Sequence, residues 1–125
     1  MKYFTIITLI WISFHVSGQE ISKSDLLGCW TESSEENNQG SNVFIFRPCD
    51  YKVFPPSRYR FKMNLKSGSI CSWLVLAQND GHYLQDGTWT FNDETNELKL
   101  YNMDGKEVRG FIIEEVEDNI VKMKN

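Results

Sequence analysis

The chain is short of the residues that most active sites are built from. It contains two histidines, His15 and His82, and three cysteines, Cys29, Cys49 and Cys71. No CxxC or HxxxH spacing occurs among them, so the usual tetrahedral metal sites have no ligand set here. There is no G-x-S-x-G elbow to carry a nucleophilic serine. The carboxylate pairs Glu35-Glu36 and Glu114-Glu115 fall in polar loop or alternating contexts, where they read as solubilising charge and not as a glycosidase pair. Basic residues are outnumbered 13 to 17. That balance argues against nucleic acid, whose binding depends on lysine and arginine neutralising phosphates. Helical periodicity beyond two turns is missing throughout, and so are linkers and low-complexity tracts.

Only one long apolar run exists, Tyr3 to Val16, and it sits behind Lys2 and ahead of Val16-Ser17-Gly18. A short positive start, an apolar centre and small residues at the end are the three parts of a cleavable signal peptide. The run is too short for a bilayer span, which needs roughly 20 mainly apolar residues. Met1 to Gly18 is therefore expected to be removed, and the nearest cysteine, Cys29, is too distant to receive a lipid anchor there. The product is expected to be secreted or periplasmic, with no membrane span. Removing these 18 residues from 125 leaves 107, a single domain over 19–125. Lys2 and His15 leave with the leader, so 12 basic residues face 17 acidic ones and His82 is the last histidine. Three cysteines in an oxidising compartment allow one disulfide and leave one thiol.

What the mature chain does have is short apolar-polar alternation, broken by turn residues at regular intervals. Strands are expected at about Cys29–Glu32, Val43–Arg47, Tyr59–Lys66 and Ile70–Ala77. Four more are expected at Gly87–Asn92, Leu98–Tyr101, Glu107–Glu117 and Ile120–Lys124. Between them lie the polar loop Ser33–Asn42, the proline-containing connection Pro48–Ser57, the connection Gln78–Gln85 and the turns at Asp93–Asn96, Met103–Lys106 and Asp118-Asn119. Eight antiparallel strands in sequence order are accommodated most simply by closing the sheet on itself, an all-β up-and-down barrel with no free edge. A sandwich of the same strands would require crossover connections that the spacing does not suggest.

Gly28-Cys29-Trp30 at the head of the first strand, followed by a long polar loop, resembles the lipocalin and calycin-like families. A second G-x-W, Gly87-Thr88-Trp89, heads the fifth strand. The stretch Phe46-Arg47-Pro48-Cys49-Asp50-Tyr51, with Phe54-Pro55-Pro56-Ser57-Arg58, resembles small secreted bacterial members of that group. The resemblance implies a barrel closed at the G-x-W end and a binding role for a small apolar ligand, without a cofactor. These strands are shorter than a deep cup needs, and an eight-stranded barrel can be filled by side chains or hold one small ligand.

Candidate residues follow from a simple meander. Tyr59, Phe61, Met63 and Leu65 share one face of the third strand and, with Trp73, either line a cavity or form plain core. In a meander, Pro48–Ser57 and Gln78–Gln85 would lie beside Gly28–Trp30, gathering Arg47, Asp50, Arg58, Arg60, Asp80 and His82 at one end. Such a cluster could hold an anion or support acid-base chemistry through His82 and Asp80. It could equally be a structural plug. The mouth would then consist of Ser33–Asn42, Ser67–Ser69, Asp93–Asn96 and Asp118-Asn119. The same geometry favours Cys29–Cys49 as the disulfide, with Cys71 at the opposite end. No catalytic residue and no metal ligand is assigned. A small apolar ligand or a protein partner is expected, and the alternative is a secreted inhibitor that blocks an enzyme through an exposed loop.

Overall fold

Alternation gives each strand one apolar face, and in this chain those faces turn inward around a common axis. The computed structural model describes residues 20–125. The expected leader Met1–Gly18 lies outside the described residues. Eight strands form the wall: β1 (Gly28–Glu32), β2 (Val43–Pro48), β3 (Lys62–Leu65), β4 (Ile70–Leu76), β5 (His82–Asn92), β6 (Glu97–Asn102), β7 (Glu107–Glu117) and β8 (Ile120–Lys124). They close into an all-β, eight-stranded antiparallel barrel, as the sequence suggested. Besides strands, the described residues contain only single turns of 3-10 helix, at Lys23–Leu26 and Ser34–Glu36, and a similar turn at Ser67–Ser69.

The strand order departs from a plain meander at one place. Around the wall it runs β1-β2-β8-β7-β6-β5-β4-β3 and back to β1. Strand β1 therefore sits between β2 and β3, antiparallel to both, with Trp30 opposite Pro48 on one side and Met63 on the other. Because β2 and β3 consequently run in the same direction, the chain from Cys49 to Phe61 must travel the whole length of the barrel between them. That reversal corrects several placements expected from a meander. The turns at Ser67–Ser69, Asp93–Asn96 and Asp118-Asn119 lie at the same end as Gly28, not at the far mouth. The connection after β4 lies at the far end with Ser33–Asn42, not beside Gly28–Trp30. It is also shorter than expected, since β5 begins at His82 and pairs with β4 from Leu76 onward.

The Gly28 end is closed. The turn Lys23–Leu26 folds across it and buries Leu26 and Ile21 against the core. Both tryptophans there have their indole N–H groups satisfied: Trp30 donates to the Leu26 carbonyl at 2.9 Å and Trp89 to the Lys66 carbonyl at 2.9 Å. Lys23 lies over the Trp89 ring, 4.7 Å from its centroid, and also donates to Ser69. A buried indole without such an acceptor would cost roughly 1–3 kcal/mol.

Inside, the core comprises Trp30, Phe46, Phe61, Met63, Leu65, Cys71, Trp73, Trp89, Leu98, Leu100, Phe111, Ile113, Val121 and Met123. Phe46, Phe61 and Phe111 meet with ring centroids 6.0 to 6.2 Å apart, a favoured aromatic spacing. The second G-x-W has a direct steric cause. Gly87 is an inward position, and a Cβ there would lie 2.5 Å from the Trp73 ring and 2.1 Å from the Tyr101 carbonyl oxygen. Trp73 occupies the space that a side chain at 87 would need. Gly87→Ala should therefore lower stability by about 3 kcal/mol, the scale of an overpacked core, read as a shift of the urea midpoint. A loss below about 0.5 kcal/mol would show that both the Trp73 ring and the Tyr101 carbonyl can give way freely.

Candidate functional site

The five residues proposed to line a cavity lie close together, but against one another. Phe61, Met63, Leu65 and Trp73 are buried in the barrel, and Tyr59 is half-buried just before β3, its hydroxyl donating to the Leu74 carbonyl at 2.7 Å. The void left at the far end of the lumen measures about 30 Å³ and is lined by Glu32, Phe44, Phe46, Phe61, Arg109, Phe111 and Asn125. That is room for a water or so, whereas small-molecule pockets run to roughly 300–1,000 Å³. Arg109 covers this void, its guanidinium 4.5 Å from the Phe61 ring centroid. Burial raises the Glu32 carboxyl above its ordinary range, although Arg109 and Arg60 oppose the shift.

The polar cluster expected at one end is dispersed into three groups by the true strand order. Arg58 pairs with Asp80 at the far end, where His82 Nε2 lies 3.0 Å from the Arg58 carbonyl oxygen. The Asp80 carboxylate is thus directed to Arg58, and His82, exposed and edge-on to Tyr59, contacts a carbonyl and not a carboxylate. Asp50 stays exposed near the closed end. Arg47 and Arg60 lie on the outer wall, each held by a glutamate of the turn Ser34–Glu36. Among the described residues, no group of three or more histidine, cysteine, aspartate or glutamate side chains converges as a metal site would.

What sequence reasoning missed is the Cys49–Phe61 segment, an external strap laid over β1. Its lower end is fixed by Cys29–Cys49, with a Cα–Cα distance of 5.4 Å, and by Thr31 Oγ1 donating to Cys49 Sγ at 3.1 Å. The bridge is the one expected, but for a different reason. Cys71 lies at the same end as Cys29, and what separates them is the wall: Cys71 faces the core next to Trp73, while Cys29, adjacent to the inward Trp30, faces out. Burial pushes the Cys71 thiol up to about 11.

Along the strap, side chains alternate between barrel and solvent. Lys52 and Phe54 turn toward the barrel, while Tyr51 and Val53 are exposed. The Lys52 ammonium reaches Glu35 at 3.2 Å and Glu36 at 3.7 Å. Arg60 donates to Glu35 at 2.8 Å, to the Glu32 carbonyl at 2.9 Å and to the Pro55 carbonyl at 2.9 Å. Phe54 lies between these two cations, 5.4 Å from Lys52 and 5.3 Å from Arg60. Arg47 forks onto Glu36 at 2.8 and 3.0 Å and stacks on Tyr51 at 4.6 Å. Burial disfavours the Glu35 charge, but hydrogen bonds from Arg60 and Lys52 outweigh it and lower its carboxyl to about 2. The Arg47 hydrogen bond lowers Glu36 to about 2 as well.

A second surface feature is an open cleft of about 790 Å³ beside the closed end, whose lining includes Glu20, Asp25, Trp30, Tyr51, Glu117 and Asp118. No family model, curated protein or solved structure matches the chain.

The strap cluster has a pH signature. Both glutamates ionise more readily in the folded protein than at their ordinary value of 4.5. Their stabilising contribution is complete above that value and is lost as pH falls toward about 2. Thermal midpoints recorded downward from about pH 6 should drop mainly below about pH 4.5. A Glu35→Gln, Glu36→Gln double variant should start lower and decline less steeply. Parallel curves for the two proteins would show that the cluster adds no stability.

Proposed function

We propose that this is an exported interaction module that acts through its outer surface and carries no ligand in its lumen. The observation supporting this most directly is the packed interior, where the void beside Glu32 and Arg109 measures about 30 Å³. A carrier would need an order of magnitude more space. The leader-like Met1–Gly18 supports export, and the Cys29–Cys49 bridge is compatible with an oxidising compartment. The surface also carries the more elaborate arrangement: a disulfide, a five-membered ionic cluster and a stacked aromatic are all devoted to one external segment. Organisation of that kind on the outside of a small barrel fits recognition of a macromolecule, since binding surfaces gain from being rigid before contact.

Two measurements test this reading. Protein purified from its own host should show, by nondenaturing mass spectrometry, only the mass of the bare chain beginning near Gln19. A stoichiometric apolar small molecule retained inside the barrel would overturn the surface-acting reading. A chain still beginning at Met1 and remaining with the membrane fraction would overturn export.

A further inference from the structure

We infer that the strap is a substrate-like inhibitory loop, presenting Val53 to the primary specificity pocket of a serine endopeptidase that accepts medium-sized aliphatic side chains. The inference rests on the surface-acting reading above and names the kind of partner that surface would meet. Val53 is 98% exposed, the most exposed large apolar side chain among the described residues. A lone exposed apolar residue needs no explanation in itself. Its setting is what distinguishes it. The residues on either side, Lys52 and Phe54, are turned to the barrel and held by Glu35, Glu36 and Arg60, so Val53 cannot fold back without breaking them. Among the described residues, no main-chain N–H or carbonyl of Lys52, Val53 or Phe54 takes part in a hydrogen bond. Past the bend at Tyr51 and Lys52, the segment thus offers a stretch without turns, with free main-chain donors and acceptors at Val53 and Phe54 and one projecting apolar side chain.

Partners that bond to the main chain of such a stretch include an open sheet edge and a protease cleft. Pro55 and Pro56 decide between them. Neither has an N–H to give, so a ladder entered at Val53, past the bend, would stop after about two residues, too short for stable strand addition. A protease needs only a few main-chain bonds, because one deep pocket takes much of the selectivity through a single side chain. The prolines also hold Phe54 and Pro55 out of the helical region, which keeps the chain beyond Val53 extended. The anchored flanks and the prolines thus restrict the segment before contact. Little conformational freedom remains to be lost on binding, as in rigid protease inhibitors whose loops scarcely move when they dock. The anchors lie on both sides of the Val53–Phe54 peptide bond: the Cys29–Cys49 bridge before it, and Phe54 and Arg60 after it.

Exchanging the projecting residue tests the idea, because a true inhibitory loop transfers specificity with that residue. Val53 is nearly fully exposed, so Val53→Arg and Val53→Asp should fold like the parent, checked by circular dichroism and thermal midpoint. Inhibition of pancreatic elastase and of trypsin would be followed with chromogenic peptide substrates. The expected result is elastase inhibition by the parent, lost at least ~100-fold in Val53→Asp. Val53→Arg should gain at least ~100-fold against trypsin, whose pocket carries an aspartate. Trypsin inhibition by Val53→Arg supports the proposal even if the parent leaves this particular elastase untouched, since it shows the loop geometry to be inhibitory. Failure of Val53→Arg to inhibit trypsin, or its rapid cleavage after position 53 with release of active trypsin, overturns it. That failure would leave the surface-acting reading standing, because the latter falls only to a ligand found in the lumen.

Discussion

The position of β1 between β2 and β3 is the constraint from which the outer architecture follows. Two neighbouring strands in sequence order would be joined by a turn at one end of the barrel. Here β2 and β3 point the same way, so their connection has to return along the barrel's length, and the only route is across the outside of β1. A segment lying on a sheet has no ladder of its own and must be retained by side chains. Each fastening fits that need. The disulfide anchors it where β2 ends, the Glu35 and Glu36 carboxylates hold it midway, and Arg60 ties it to the Glu32 carbonyl before β3 begins. Thr31, outward-facing and otherwise bound for solvent, is buried beneath it.

The interior obeys a different constraint, volume. Eight strands enclose a lumen that large side chains can close, and this chain contributes three tryptophans and a phenylalanine cluster to it. Space is allotted in complementary pairs, most clearly where Gly87 gives up its side chain to the Trp73 ring. A cavity could be opened only by removing one of these rings, at a cost of about 3–5 kcal/mol. For a domain of this size, buried surface is scarce, and a vacant lumen would leave little to stabilise the wall.

Much of this was legible in the sequence, and the exceptions have a common physical origin. Period-two alternation, with one strongly apolar run at β4, located all eight strands, because burial dictates residue type locally. The Cys29–Cys49 pair and the closed Gly28 end also emerged. Strand order did not, since the choice of neighbour for β1 depends on contacts with Pro48 and Met63, far apart in the chain. The features expected at the wrong end descend from that single choice: Gln78–Gln85, Ser67–Ser69 and the polar cluster, which the true order divides into three groups. Cys71 was excluded from the bridge by an assumed end when the wall itself excludes it. The start of β5 was missed because Tyr83 and Leu84 extend an alternation that remains exposed past the rim, where burial no longer marks the face.

Which side of the wall a residue faces therefore decides its chemistry more than its identity does. The thiol of Cys71 is held protonated by the core, while Cys29, one layer outward, forms a covalent anchor. The charged side chains that looked most like a site, Arg47 and Arg60, are engaged in fastening the strap, as are the glutamates opposite them. A group already committed to a short ion pair is poorly placed to bind anything else, because a ligand would have to displace the partner. Between the anchored residues Lys52 and Phe54, what the strap leaves uncommitted is uncharged: the Val53 side chain and the main chain beside it. The charged cluster thus acts as scaffold for the strap, and the most exposed apolar side chain on that segment is Val53.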